Sequence, residues 1–193
     1  RRDAVAEDLE RERNRTEKAA TAIDTPERVK QSLNEAITFL QKELAELQRA
    51  IDQHINNDPE LRRIWTLLHS IPGVGERVAD HMTALLAARQ FQTAEQLAAY
   101  LGLIPVEWQS GSSIHGRARM SKAGPAHLRA LLYMPAVVAK TYNPHIRALY
   151  ERLLAKGKPK MSAIGAAMRK LAHLCFGVVH SGQPYDANWV IKA

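Results

Sequence analysis

From Ile37 to Leu68 the apolar residues recur four and three apart: Ile37, Leu40, Leu44, Leu47 and Ile51, then Leu61, Trp65 and Leu68, with His54 and Asp58 at intervening seam positions. So narrow a stripe is buried only against another helix, and the heptad spacing predicts a coiled-coil segment. Asn57-Asp58-Pro59 interrupts it, with Asp58 suited to an N-cap and Pro59 to the first position of a new helix. Residues 1–20 are charged and helix-prone but have a weak apolar stripe, and Asp24-Thr25-Pro26 separates them from the seam. They are expected to fold back as an antiparallel hairpin or to await a partner helix. The seam itself predicts self-association, as a dimer or tetramer.

Downstream the pattern changes to short helices and turns. A helix ends near Ser70, Ile71-Pro72-Gly73-Val74-Gly75 makes a tight turn, and a second helix starts near Glu76. Two glycines around one apolar residue let a phosphate approach the backbone, and the amides of the next helix, with Arg77 beside them, would supply donors. This is the pattern of a helix-hairpin-helix. An ordinary helical hairpin that needs glycine only for its turn is the alternative. Thr93 to Gln96 fits a capping box, with Gly102 as the stop of that helix. Residues 103–120 lose helical period and predict an irregular loop or short β-hairpin. From Pro125 three helical patterns follow, the first expected to kink at Pro135 and the second opened by Asn143-Pro144. The fold class is therefore mainly α: a coiled-coil helical segment (1–63), then a helical bundle (64–182) holding the helix-hairpin-helix and the loop. The tail (183–193) has no pattern, and Trp189 is its candidate docking residue.

Composition sharpens this picture. With 193 residues, 46% apolar and 24% charged, the chain can bury a real core. Its net charge of +7 is unevenly placed: residues 1–69 carry 12 Lys and Arg against 14 Asp and Glu, while residues 70–193 carry 15 against 6. The second half is the candidate polyanion surface. The single cysteine, Cys175, lies in LAHLCFGVV and reads as a core thiol. No stretch reads as a membrane span and the charged start is no signal peptide, so a cytoplasmic, nucleoid-associated location is expected. The chain opens without an initiator Met, which fits a longer protein.

Candidate chemistry gathers between Trp108 and Arg129, in WQSGSSIHGRARMSKAGPAHLR. Ser110, Ser112 and Ser113 surround a glycine, and Arg117, Arg119, Lys122 and Arg129 follow with no acid between Glu107 and Glu151. Hydroxyls beside cations suit either gripping a phosphodiester or attacking one. A serine needs a base or a cation-bound phosphorus to become a nucleophile, and His115 is the nearest base. The alternative is a loop whose serines only hydrogen-bond phosphates. The other histidines are scattered without metal-ligand spacing, so no metal site is expected in this chain. Tyr100, Tyr133, Tyr142 and Tyr150 sit in helical apolar patterns and read as core. Arg152, Lys156, Lys158, Lys160, Arg169 and Lys170 form a basic run that suits a solvated face or a nucleic acid.

The ordered set of IPGVG, AAYLGLIP, SG…GRARMSKAG…LR and NPHIRALYERLLAKGKPK…AAMRKL, after a coiled coil, resembles the C-terminal part of the transposases of insertion sequence one-ten and its relatives. The resemblance covers about residues 64–180. It implies a serine recombinase guided by a bridge RNA, in which a RuvC-like acidic domain joins this domain through the coiled coil. That acidic domain would hold the divalent metal, expected to be Mg, and this chain none. The family's nucleophile lies in the Ser-Gly pair after the L-x-P segment, which corresponds to Ser110, with Ser112 and Ser113 as alternates. Where the family commonly has S-K-R-G-N, this chain has Ser121-Lys122-Ala123-Gly124-Pro125, so one cation is missing at Ala123.

Overall fold

A computed structural model describes residues 1–22, 24–106, 109–110, 114–115 and 119–188, the two short middle segments by their backbone alone. The chain separates into two compact units, Arg1–Asp58 and Pro59–Ala193. The fold is mainly α, as the pattern predicts.

The first unit is a helical hairpin of α1 (Arg2–Thr21) and α2 (Glu27–Asn57). The start of α1, from Arg2 to Arg13, lies beside Gln41 to Gln48 of α2, so the two helices run antiparallel. Thr25 closes the turn by donating its hydroxyl to the Ala19 carbonyl at 2.8 Å. On the charged surface of α1, Arg11 pairs with Asp8 at 2.8 Å and Arg15 pairs with Glu12. Such exposed pairs add only a few tenths of a kcal/mol each. The packed partner matters more for this helix than its own sequence. The seam residues Ile37, Leu40, Leu44, Leu47 and Ile51 are half-buried, while Ile55 is buried.

The seam is interrupted at Asn57-Asp58-Pro59, as expected. Its second part, with Leu61 and Trp65, belongs to a separate helix in the second unit, α3 (Pro59–His69), whose Ile64, Leu67 and Leu68 enter that unit's core. Pro59 begins α3 as expected. A turn then leads to α4 (Glu76–Ala88), and Trp65 donates its indole N–H to Asp80 at 2.9 Å across the pair. Next come α5 (Ala94–Tyr100), the short strands β1 (Pro105–Val106), β2 (Gln109–Ser110), β3 (Ile114–His115) and β4 (Arg119–Met120), and then α6 (Ala126–Leu131), α7 (Tyr133–Tyr142), α8 (Pro144–Ala155) and α9 (Lys160–Ser181). Thr93 caps α5 by accepting from the Gln96 amide at 3.2 Å. Instead of one helix kinked at Pro135, the structure has two: the chain turns at Leu132, between α6 and α7, three residues before the proline. The missing proline N–H cannot bond to the carbonyl four residues back, at Leu131, so the helix breaks just ahead of it.

The core of this unit is organised around α9, which packs on α3, α5, α7 and α8. By length and composition α9 is apolar enough to cross a membrane, contrary to the expectation that no segment is. Its Ala163, Ile164, Ala167, Met168, Leu171, Ala172, Cys175 and Val178 are instead buried among the other helices. Burial pushes the Cys175 thiol up to about 12, and it is an inert core residue. Two tyrosines depart from the expected core role: Tyr142 is 70% exposed and Tyr133 38% exposed, because α7 turns that side outward.

The turn between α3 and α4 shows what its two glycines do. Gly73 has φ +103° and a side chain there would meet the Ala139 methyl at 2.7 Å and the Pro135 carbonyl at 3.0 Å. It is a glycine because α7 crosses it. Gly75 precedes α4 at φ −86° with open space where a Cβ would stand. A Gly73→Ala chain is therefore expected to lose about 1–3 kcal/mol of stability, from left-handed strain and overpacking. Gly75→Ala should cost less, about 0.5–1 kcal/mol, because it replaces an N-cap glycine without strain or a clash. Denaturant unfolding of the two variants checks this, and equal losses would contradict it.

Candidate functional site

The serine-bearing segment is a β-hairpin arm. At its base β1 pairs antiparallel with β4, Pro105 opposite Met120 and Val106 opposite Arg119. Farther out β2 pairs with β3, Gln109 opposite His115 and Ser110 opposite Ile114. The expected short hairpin is thus present, and Ser110 is the last paired residue before the three positions that join β2 to β3. Ser112, Ser113 and Arg117 lie outside the described residues, as do the side chains of Ser110 and His115.

Below the strands the arm is fastened by backbone contact. The Ser121 amide donates to the Ile104 carbonyl at 2.9 Å and the Lys122 amide to the Gly102 carbonyl at 3.2 Å, which extends the ladder toward α5. Gly102 (φ +69°) and Gly124 (φ +77°) meet across this seam. A side chain on Gly102 would stand 2.1 Å from the Ala123 carbonyl oxygen, and one on Gly124 would stand 1.9 Å from that of Tyr100. Neither gap admits any side chain. Lys122 adopts a left-handed φ of 56° between them, unusual for a residue with a Cβ. The Ser121 hydroxyl steadies that turn by accepting from the Ala123 amide at 3.1 Å.

The cations divide into two roles. Arg129, half-buried on α6, donates from Nη1 to the carbonyls of Ala123 at 3.2 Å and Leu101 at 3.4 Å. It joins the end of α5 to the end of the arm, a positioning role that its sequence does not reveal. Arg119 on β4 and Lys122 in the turn are exposed, and among the described residues no carboxylate stands within ion-pair distance of either. Arg77 is exposed in the first turn of α4, next to Gly75. Among the described residues no three His, Cys, Asp or Glu side chains come together as a metal site. The described residues therefore do not fit a divalent metal.

A polar network missed in the sequence locks the opposite side of the unit. Asn143, fully buried, caps α8 by accepting from the Ile146 amide at 3.2 Å, and its Nδ2 donates to the Pro72 carbonyl of the glycine turn at 3.4 Å. Tyr185 from the tail donates its hydroxyl to Asn143 Oδ1 at 3.0 Å, lies 2.7 Å from His145 Nδ1, and its amide donates to the Ser70 hydroxyl at 2.8 Å. The tail thus docks through Tyr185, whereas Trp189 lies outside the described residues. The Asn143-Pro144 pair was the only signal for this network, and it showed the cap but not the partners. Burial, foremost, raises the Tyr185 hydroxyl above its ordinary range, and it remains a neutral donor.

A helical domain with a glycine-fastened, cation-based hairpin arm is the class of structure to which these observations lead. Residues 65–151 match the family described as Transposase IS116/IS110/IS902 family, so the chain carries a transposase domain of that family. The chain is 35% identical over 160 residues to the pilin gene-inverting protein of Moraxella lacunata, a match that covers 82% of this chain and 50% of that protein. It is 31% identical over 144 residues to the insertion element IS110 uncharacterized 43.6 kDa protein of Streptomyces coelicolor, covering 74% of this chain and 35% of the relative. The chain thus spans about half the length, or less, of these relatives.

Replacing Arg129 with Met removes two charge-assisted bonds to carbonyls and should loosen the arm's base by about 1–3 kcal/mol. Hydrogen exchange at the Ser121 and Lys122 amides reads this directly. Faster exchange at both, with the α9 amides unchanged, is expected; unchanged exchange would remove Arg129 from its positioning role.

Proposed function

We propose that this chain is the serine-bearing part of a DNA recombinase that moves or inverts DNA segments, with Ser110 as nucleophile. The observation that carries the reading is the placement of Ser110 at the end of an arm whose base presents two exposed cations, with no carboxylate within ion-pair distance among the described residues, inside a transposase-family domain. The name of the Moraxella relative, a gene-inverting protein, supports DNA rearrangement as the outcome. In the step proposed, the Ser110 hydroxyl oxygen forms a bond to phosphorus as a bond from phosphorus to a deoxyribose oxygen breaks. The serine proton passes to a base, with His115 the nearest in sequence, and the leaving oxygen takes up a proton. Arg119 and Lys122, with Arg117, hold the phosphate and stabilise the charge that builds on it. Arg129 acts at one remove by holding the arm. Ser112 and Ser113 are the alternates to Ser110.

The N-terminus of α4, with open space beside Gly75 and the exposed Arg77 in its first turn, is the proposed second phosphate contact, of the helix-hairpin-helix kind. Gly73 serves α7 packing rather than that contact. The acidic function is assigned to a RuvC-like domain that would hold the divalent metal and work with a bridge RNA. The half-buried seam of α2 is the surface for self-association, and the cytoplasmic nucleoid is the proposed place of action.

A binding-only reading, in which the domain grips nucleic acid and does no chemistry, is favoured by the open space beside Gly75 at the N-terminus of α4. Ser110→Ala in the complete protein separates the two. The nucleophile reading expects recombination to fall by about a thousandfold or more while DNA binding stays. Unchanged recombination would leave only the binding module.

A further inference from the structure

Beside α9, at the edge of the core, lies a cavity of about 610 Å³ lined by residues of α9 and of the segment that follows it. Its volume is in the range of small-ligand sites, roughly 300–1,000 Å³. One end is cationic. Lys170 and His173 line it, one turn apart on α9, with Arg152 and Arg169 beside them. Burial first, and Arg152 second, holds the Lys170 ammonium below its ordinary range. Burial, then Arg169 and Lys170, does the same to His173, against the opposing pull of Glu95. No carboxylate pairs with Lys170 among the described residues, and Glu95 stands 4.0 Å from His173 at the limit of an ion pair.

His173 is neutral here, its Nε2 accepting from Arg169 Nε at 3.4 Å, whereas the half-buried Lys170 and the neighbouring Arg152 crowd one another at a cost in repulsion and desolvation. An anion seated between them would remove both. The rest of the cavity has the opposite character, with walls from Leu174, Phe176 and Tyr185. The Tyr185 ring is held in place by its bonds to Asn143 and His145, so that wall is built before anything binds. Gln183 and Asp186 also line the cavity, the latter with one carboxylate oxygen already accepting from the Asn188 amide at 2.8 Å.

We propose that this cavity binds one nucleoside monophosphate unit, its phosphate at the Lys170 end and its base between the apolar walls. Aromatic and aliphatic walls take the face of a planar base. The acceptor at Asp186 favours a base with an exocyclic amine, adenine or cytosine before thymine or uracil. The site stands on its own geometry and does not need the Ser110 chemistry. Its ligand is either a free nucleotide or an unstacked nucleotide of a single strand, which share this chemistry.

Amide chemical-shift titration of the 193-residue chain tests the assignment. Adenosine monophosphate should shift the amides of residues 170–178 and Tyr185 in a saturable way. Adenosine, which lacks the phosphate, and ribose 5-phosphate, which lacks the base, should each bind about tenfold more weakly. Lys170→Met should weaken adenosine monophosphate by about the same factor while Phe176→Leu weakens it less, and both should keep the unliganded spectrum of the core. A short single-stranded oligoadenylate that shifts the same amides at lower concentration assigns the site to a strand. Tighter binding of the mononucleotide assigns it to a free nucleotide. Absence of shifts at these amides with every ligand, or equal affinity in wild type and Lys170→Met, would overturn the proposal.

Discussion

The second unit depends on a contact in which no side chain can take part: the close passage of Gly102 over Ala123 and of Gly124 over Tyr100. Two backbone segments that lie about twenty residues apart meet at distances that exclude even a methyl group, and each meeting requires a left-handed φ at the glycine. The β1–β4 ladder, the left-handed Lys122 and the Arg129 bonds all follow from that meeting. It turns an otherwise irregular polar stretch into an arm with a fixed base. Ordering a free loop of this length would cost on the order of 1–2 kcal/mol per residue of backbone entropy at the moment of binding. An arm whose base is already fixed loses part of that cost before DNA arrives.

The same economy of contact recurs on the other side of the unit. Gly73 lets α7 press on the turn between α3 and α4, and Asn143 reaches from the start of α8 to the Pro72 carbonyl of that turn. Tyr185 closes the network from the tail. The glycine turn is thereby held rigidly, with Gly75 and Arg77 left at its outer edge. Rigid placement of the donors matters more for phosphate recognition than their number, because a loosely held donor pays its own ordering cost. Lys170 and His173 lie on α9, whose inner face is the core, so they too project from the stiffest element of the unit.

Much of this was legible in the sequence, and the exceptions share a cause. Periodicity placed the helices, Thr93 and Asn143 announced their caps, and the loss of period after Leu103 announced the hairpin, since each of these signals is local. The order of the motifs also led to the family. What escaped depends on residues brought together by the fold. Gly73 and Gly75 look alike in Pro-Gly-Val-Gly, yet only one is crossed by α7. Arg129 reads as one more cation in a basic run, although its guanidinium is occupied by two carbonyls. The heptad spacing resumes past the break at Asp58 with Leu61, Trp65 and Leu68, but Trp65 and Leu68 pack in the core of the second unit. Tyr133 and Tyr142 lie in an apolar pattern, but the break at Leu132 turns that side of α7 outward.

In the recombination proposed above, the hairpin arm bears the nucleophile and the rest of the unit mounts it. The most direct measurement is to trap the covalent intermediate formed by the complete protein on a duplex nicked at its recombination site, and then to map the modified peptide by mass spectrometry. DNA attached to Ser110 is the result expected. Attachment to a tyrosine or to any residue outside the arm, or no adduct under conditions where strands are exchanged, would contradict it.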